Sequence, residues 1–432
     1  MRRLVRVLPF LFLAPPLAAQ LSPAERAIVQ QVDAGNRDGL ALLERLVNIN
    51  SGTLNLAGVR EVGAVLRAQL DSLGFITRWE DGAPYRRAGH LIAEHSGSGP
   101  RLLLIGHLDT VFDPESPFQR FERIDSIHAR GPGSTDMKGG DVIMIQALKA
   151  LKAQGALGKM NVTIVLHGDE EHAGEPQALA RRTLIEAAHR ADVAIGFEDG
   201  DGDPTTAVIA RRGYTGWILT TTGTPAHSSQ IFRDDIGPGA IYEAARVLQT
   251  FREQLTGDPL LTFNPGVALG GTAVELDSTA VKGTAAGKSN VVSARMVVAG
   301  DLRTISAERL AQAKAAMQAI VASHLPHTTS AIVFEDGYPP MAPTEGNRRL
   351  LAILDRTSRD LDQGPVGIDN PARAGAADVS FVAGIVPMVI DGLGLAGTGG
   401  HTDQETADLS QLPRLTRRAA ILFFRLTQPA RP

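Results

Sequence analysis

The chain has 432 residues, a formal net charge of −4, 43% hydrophobic and 21% charged residues, and no cysteine. That length exceeds one ordinary compact core and calls for two domains, and the composition is that of a soluble globular enzyme. The near balance of charge, with no long run of one sign, argues against nucleic-acid and anionic-membrane partners, and the missing cysteines exclude disulfides and a lipidated cysteine anchor.

Residues 1–20 read as a secretory signal. Arg2, Arg3 and Arg6 form a basic start, residues 7–17 a short apolar run, and Ala18 and Ala19 are small enough for cleavage. The run is too short to cross a bilayer, and Pro9, Pro15 and Pro16 interrupt it. The expectation is a periplasmic or secreted protein with no stable membrane anchor.

The remaining chain opens with Ser22-Pro23-Ala24-Glu25: Ser at the N-cap, Pro at the first helical position and Glu at the third make a capping box. Apolar residues then recur at helical spacing through Val29, Leu40, Leu43 and Leu46, with a break expected near Gly35. Short apolar runs typical of buried strands follow at 102–105, 162–166, 193–197 and 386–390, the last weakened by Pro387, which fits only near a strand start or an edge. A helix over 140–154 separates the first two, and strand–helix–strand at this spacing implies parallel pairing in a doubly wound sheet.

Residues 212–335 differ. Alternating segments at 217–222 and 291–298 and amphipathic helices near 241–255 and 307–324 read as an α+β unit inserted into the first domain. Residues 348–426 return to helix–strand–helix and complete the first sheet, leaving a short tail that ends at Pro432. The expected domains are therefore 21–211 and 336–432 for one α/β unit with a mostly parallel sheet, and 212–335 for the insert.

Four groups of metal-ligating residues follow the four apolar runs: His107, the pair Glu170-Glu171, Glu198 and His401. Ligands bind beyond the carboxyl ends of parallel strands, so these groups should meet at one rim. Asp136 lies in Gly131-Pro132-Gly133-Ser134-Thr135-Asp136-Met137-Lys138-Gly139-Gly140, whose glycines let the backbone turn tightly before a helix. A carboxylate there can bridge two cations. Taken singly, each residue has an ordinary explanation: a hydrogen-bonded histidine, a solvated acidic loop, a helix cap. Together, two histidines and three carboxylates suit zinc, with cobalt or manganese as substitutes.

His107-Leu108-Asp109-Thr110-Val111, the Gly133–Gly140 stretch and Asp169-Glu170-Glu171 resemble motifs of the co-catalytic zinc metallopeptidases. That family includes glutamate carboxypeptidase, succinyl-diaminopimelate desuccinylase, aminoacylase and related dipeptidases. The likeness continues through Glu198, Gly223-Thr224-Pro225-Ala226-His227-Ser228 and His401, and is strongest to the glutamate carboxypeptidase branch. It implies two zinc ions per chain bridged by Asp136, with His107 and Glu198 completing one site and Glu171 and His401 the other. It makes Glu170 the general base and Asp109 the residue that orients His107. The peptide after Asp136 is expected to be cis. The insert becomes a lid and dimerisation domain, from which His227 stabilises an oxyanion, in its own subunit or in the partner of a homodimer. Asn290 and Arg303 match positions that hold a substrate carboxylate. Gly375 falls near a glycine-rich substrate loop.

Two departures stand out. The Glu pair is followed by His172-Ala173-Gly174-Glu175 instead of Gly and Ser, and Asp336-Gly337-Tyr338-Pro339-Pro340 lacks the Arg carried by relatives that cleave C-terminal glutamate. The second counts against a preference for glutamate. The reading is therefore an exported amide hydrolase, carboxypeptidase-like, acting on a small peptide or N-acyl amino acid. The rivals are an aminoacylase or dipeptidase on the same scaffold, and a non-catalytic exported binding protein.

Overall fold

The computed structural model describes residues 21–277 and 282–428. The leader assigned to residues 1–20 and the tail at Pro432 lie outside the described residues. No helix among the described residues is long and apolar enough to cross a membrane.

The first helix, Pro23–Val47, starts as the capping box dictates: the Glu25 amide donates to Ser22 Oγ at 3.2 Å, and the Ser22 amide donates to the Glu25 carboxylate at 2.6 Å. The break expected at Gly35 is absent, and the helix runs straight through it. The glycines serve packing instead. A Cβ at Gly39 would stand 3.1 Å from the side chain of Gln146 on the helix Lys138–Ala153, so the missing side chain lets the two helices approach. The next helix, Leu56–Leu73, not among the elements expected from the sequence, is capped by Asn55 at its start and Gly74 at its end.

The central sheet has six strands in the spatial order Ile76–Asp81, Gly89–His95, Asn161–His167, Arg101–His107, Val193–Gly196, Met388–Ile390. The last four run parallel, and the first two form an antiparallel edge. Pro387 sits just before the Met388 strand, where its missing N–H costs no ladder bond.

Side chains on these strands alternate between two apolar layers. Leu102, Leu104, Val162 and Ile164 face a layer formed by the helices Pro23–Val47, Leu56–Leu73, Lys138–Ala153 and Gln411–Leu426. Leu103, Ile105, Val165 and Ala194 face a smaller layer with Leu184, Ala187 and Val379. Burial on both faces explains why these strands read as continuous apolar runs.

The second sheet is antiparallel, in the order Thr262–Gly271, Arg295–Arg303, Thr215–Gly223, Thr328–Asp336. One face packs Trp217, Leu219 and Val298 against Val247 and Phe251 of the helix Ala240–Leu255 and Met317 of Ala307–Val321. Its other face is open, with Val333 66% exposed.

The strand expected at 291–298 is displaced to Arg295–Arg303. Residues 291–294 have other partners: Val292 donates to Ala226 O at 2.9 Å, Ser293 O accepts from Ala240 at the start of its helix, and Ala294 O accepts from Gly223. The chain crosses between the sheets twice, and the two crossings pair with each other. Arg211 and Met341 exchange backbone hydrogen bonds of 2.9 Å, and the Tyr214 amide donates to Tyr338 O at 2.8 Å.

Candidate active site

The rim is assembled by strand ends. Parallel register sets His107 beside His167, so the turn carrying Glu170 and Glu171 emerges next to His107. The Val193–Gly196 strand delivers Glu198 from the other side. Asp136 comes from the turn before the helix Lys138–Ala153, and the peptide Asp136-Met137 is cis. His401 arrives beyond the Met388–Ile390 strand, on the loop between the short strands Gly397–Thr398 and Thr406–Asp408, with φ at +61° in the left-handed region.

These residues meet. His107 Nε2 lies 3.0 Å from Asp136 Oδ1 and 3.6 Å from Glu198 Oε1. His401 Nε2 lies 2.9 Å from Asp136 Oδ2 and 3.2 Å from Glu171 Oε2. His107, Asp136 and Glu198 thus form one triad whose donor atoms lie within 4.8 Å of each other, and Asp136, Glu171 and His401 form a second. Asp136 belongs to both, with one oxygen turned to each.

Charge is crowded at this rim. Burial alone would lower His107, but Glu198, Asp109 and Asp136 overrule it and hold the imidazole well above its ordinary value. His401, hydrogen-bonded by Asp136 and Glu171, is pushed up to about 11. Burial raises Glu171 to about 7, helped by Asp136 and opposed by His401. Burial raises Glu198 to about 7 as well, against the pull of His107. Glu170 is pushed well up by burial and by the nearby Glu198 and Asp378. Asp136 is the exception: burial would raise it, but His107 and His401 hold it below the usual carboxylate range.

The residues fit metal ions on two counts. The donor set is imidazole nitrogen and carboxylate oxygen, which suits zinc, cobalt or manganese. Glu171 Oε1 is also buried with no hydrogen-bond partner among the described residues, a costly condition for a carboxylate that a cation relieves.

The surroundings hold this rim in place. Asp109 does more than face His107, whose Nδ1 is 3.1 Å from its backbone O and 3.5 Å from its carboxylate. The Asp109 carboxylate also accepts the amides of Glu170 at 3.1 Å and Glu171 at 3.2 Å and the Thr53 hydroxyl at 2.6 Å. It therefore fixes the turn that presents both glutamates.

Glu405, which the sequence reading passed over, accepts the amides of Gly133, Thr135 and Asp136 at 2.9, 2.8 and 3.2 Å. Arg181, also overlooked and fully buried, pairs with Asp169 at 2.6 Å and Asp378 at 2.7 Å. Tyr338 accepts from Arg181 and donates to the backbone O of Glu170, both at 2.8 Å. Glu405 and Arg181 share one signal, burial of a charged side chain, which appears only once the chain is folded.

A cleft of about 460 Å³ opens beside the two triads. Glu170 and Gly375 line it, as do Asp136, Glu171, Glu198 and His401. His227, Asn290 and Arg303 do not. His227 is exposed on the insert, its Nδ1 2.8 Å from Ser229 Oγ, and forms an isolated bridge with Val291. Asn290 is exposed next to that bridge. Arg303 pairs with Asp301 at 2.9 Å and stands over the Tyr214 ring at 5.4 Å.

A model of peptidase family M20/M25/M40 matches residues 103–423, which span every metal-ligand candidate and both sheets' central strands. The chain belongs to that family. It is 27% identical to carboxypeptidase G2 of Pseudomonas sp. (strain RS-16) over 392 residues, 89% of this chain and 88% of that one. Aminopeptidase PepT from Bacillus cereus ATCC 10987 shares the fold at a TM-score of 0.72 and 17% identity, covering 91% of this chain and 99% of that chain. The YXEP protein of Bacillus subtilis, described as a dinuclear metal binding peptidase of the M20 family, shares it at a TM-score of 0.62 and 14% identity, over 91% and 99% of the two chains. Family membership makes this chain an enzyme of metallopeptidase and amidohydrolase type, and sets aside the non-catalytic alternative.

Proposed function

We propose that the chain is an exported di-zinc hydrolase that cleaves an amide bond in a small carboxylate-bearing substrate. The reaction would be carboxypeptidase-like, releasing a C-terminal amino acid or the amino acid of an N-acyl compound. One observation carries this reading: two donor triads share Asp136 at the edge of a cleft that also holds Glu170. The match to carboxypeptidase G2 along most of both chains supports the reaction class.

In this reading His107, Asp136 and Glu198 hold one ion, and Asp136, Glu171 and His401 the other. Bound there, two divalent ions would acidify a water and polarise the scissile carbonyl. Glu170 takes the proton from the attacking water and passes it to the departing amine. Its burial raises its pKa, which favours the protonated form that the second transfer needs. Asp109 keeps Glu170 in reach by holding its amide, and Tyr338 holds its carbonyl.

The insert is assigned the lid and dimer interface. His227 lies outside the cleft of its own chain, and that position supports its acting on the partner's substrate as oxyanion donor. Mixing two weak variants, Glu170→Gln and His227→Ala, tests this: hybrid dimers regain one complete site, so activity should reappear. A mixture no better than its parts counts against action in trans. Export rests on the leader-like residues 1–20, and N-terminal sequencing of protein from the periplasm and medium is expected to find that stretch removed.

The deciding experiment for the reaction is a panel of N-acyl amino acids, dipeptides and folyl-glutamate analogues offered to zinc-loaded protein, with and without chelator. Chelator-sensitive hydrolysis of at least one class is expected, and the pattern separates carboxypeptidase from aminoacylase or dipeptidase. The absence of Arg between Asp336 and Pro340 sets the expectation that glutamate is not preferred.

A further inference from the structure

Among the side chains lining the cleft, acidic ones outnumber cationic ones by six to three. Asp136, Glu170, Glu171, Glu198, Asp199 and Asp201 line it, and its cationic side chains are Arg211, Arg373 and His401. His401 faces Asp136 and Glu171. Arg211 is also committed: it pairs with Asp391 at 2.8 Å and donates to Gly375 O at 2.9 Å. Arg303, which the sequence offered for a substrate carboxylate, is outside the cleft and paired with Asp301. Arg373 alone among these cations is exposed with no side-chain hydrogen bond or ion pair to any described residue.

Its backbone, by contrast, is pinned on both sides. Arg212 donates to Ala372 O at 2.7 Å and Arg211 to Gly375 O at 2.9 Å. Asn370 turns the segment, accepting the Ala372 amide on its side chain at 3.0 Å and the Arg373 amide on its carbonyl at 2.8 Å. A guanidinium carried on a fixed loop, in a cleft otherwise rich in carboxylates, is pre-placed for an anion supplied from outside.

We propose that Arg373 is a specificity-determining residue that binds the free carboxylate of the substrate. This deepens the hydrolase reading above and rests on it. Arg suits the task because its planar fork meets a carboxylate with two parallel hydrogen bonds, whereas Lys offers a single point charge. The carboxylate sits away from the bond being cut, so the contact acts equally in ground and transition states and shows in KM.

The test uses the best N-acyl amino acid from the panel and the matching N-acyl amino acid amide, in which the scissile bond is unchanged. Wild type is expected to prefer the acid in kcat/KM. Arg373→Ala should reduce that preference roughly tenfold to a hundredfold, the range for losing a charge-assisted hydrogen bond, through KM with kcat little changed. Arg373→Lys should retain part of it. Bound zinc and Tm should be unaltered, and calorimetric binding of the released amino acid should weaken in Arg373→Ala while that of its amide does not. Preference intact in Arg373→Ala, or lost in Arg303→Ala instead, overturns the inference and leaves the hydrolase reading standing. No chelator-sensitive hydrolysis of any panel compound by wild type removes the reading itself, and the inference with it.

Discussion

The metal rim and the inserted sheet treat their functional candidates in opposite ways. At the rim, residues 294 positions apart in sequence, His107 and His401, both turn their Nε2 atoms to one carboxylate, that of Asp136. In the insert, His227, Asn290 and Arg303 stay out of the cleft, and Arg303 has already found an acidic partner. The rim hangs on strands buried on both faces, whose parallel register leaves little choice about where their ends point. The insert covers one face of its sheet and leaves the other open, so what its loops reach depends on how that sheet sits over the first or over a second chain.

The most direct attack on this contrast is Glu170→Gln. If the rim is the catalytic half, turnover should fall by about 10² to 10⁴ while the fold and metal content persist. Near wild-type activity would remove Glu170 from the role of base.

Metal analysis sharpens the rim further. Asp136→Asn should lose both ions, since both triads share that side chain, whereas His401→Ala should lose one. Two ions retained in Asp136→Asn would refute the shared bridge.

The independence of the two regions can be broken with Trp217→Ala. Trp217 is 1% exposed in the core of the inserted sheet, and truncation should cost about 3–5 kcal/mol of that unit's stability. Metal stoichiometry should hold while the insert unfolds first, seen as an early calorimetric transition. Simultaneous loss of metal would mean the two regions fold as one.

A smaller effect concerns pH. Metal must displace protons from Glu171 and Glu198, raised to about 7, and from His401, raised to about 11. Apparent zinc affinity should therefore fall as pH drops below about 7 and rise above it, with protons released on binding. Titration against a competing chelator at several pH values measures this, and a flat profile would contradict it.

Much of the rim was legible in the residues. Capping chemistry placed the first helix, apolar runs placed the strands that deliver His107, Glu171 and Glu198, and the glycine-rich turn marked Asp136. The break expected at Gly35 failed because a glycine inside a helix can serve a close helix contact, here with Gln146, and no local pattern reveals that partner. The strand expected at 291–298 slid because its first residues bond instead to Ala226, Gly223 and the start of a helix. Glu405 escaped notice because a lone acidic residue in a loop reads as solvated until three amides converge on it.

The metal-ligand candidates and the strands that carry them could be read from the residues alone, because side-chain type and apolar periodicity are local properties of the chain. The tertiary structure decided which charges are already neutralised by a neighbour and which are left facing the cleft. That difference separates Arg303, spent on Asp301, from Arg373, unpaired among the described residues on its pinned loop, and it depends on distances between segments that no local pattern encodes.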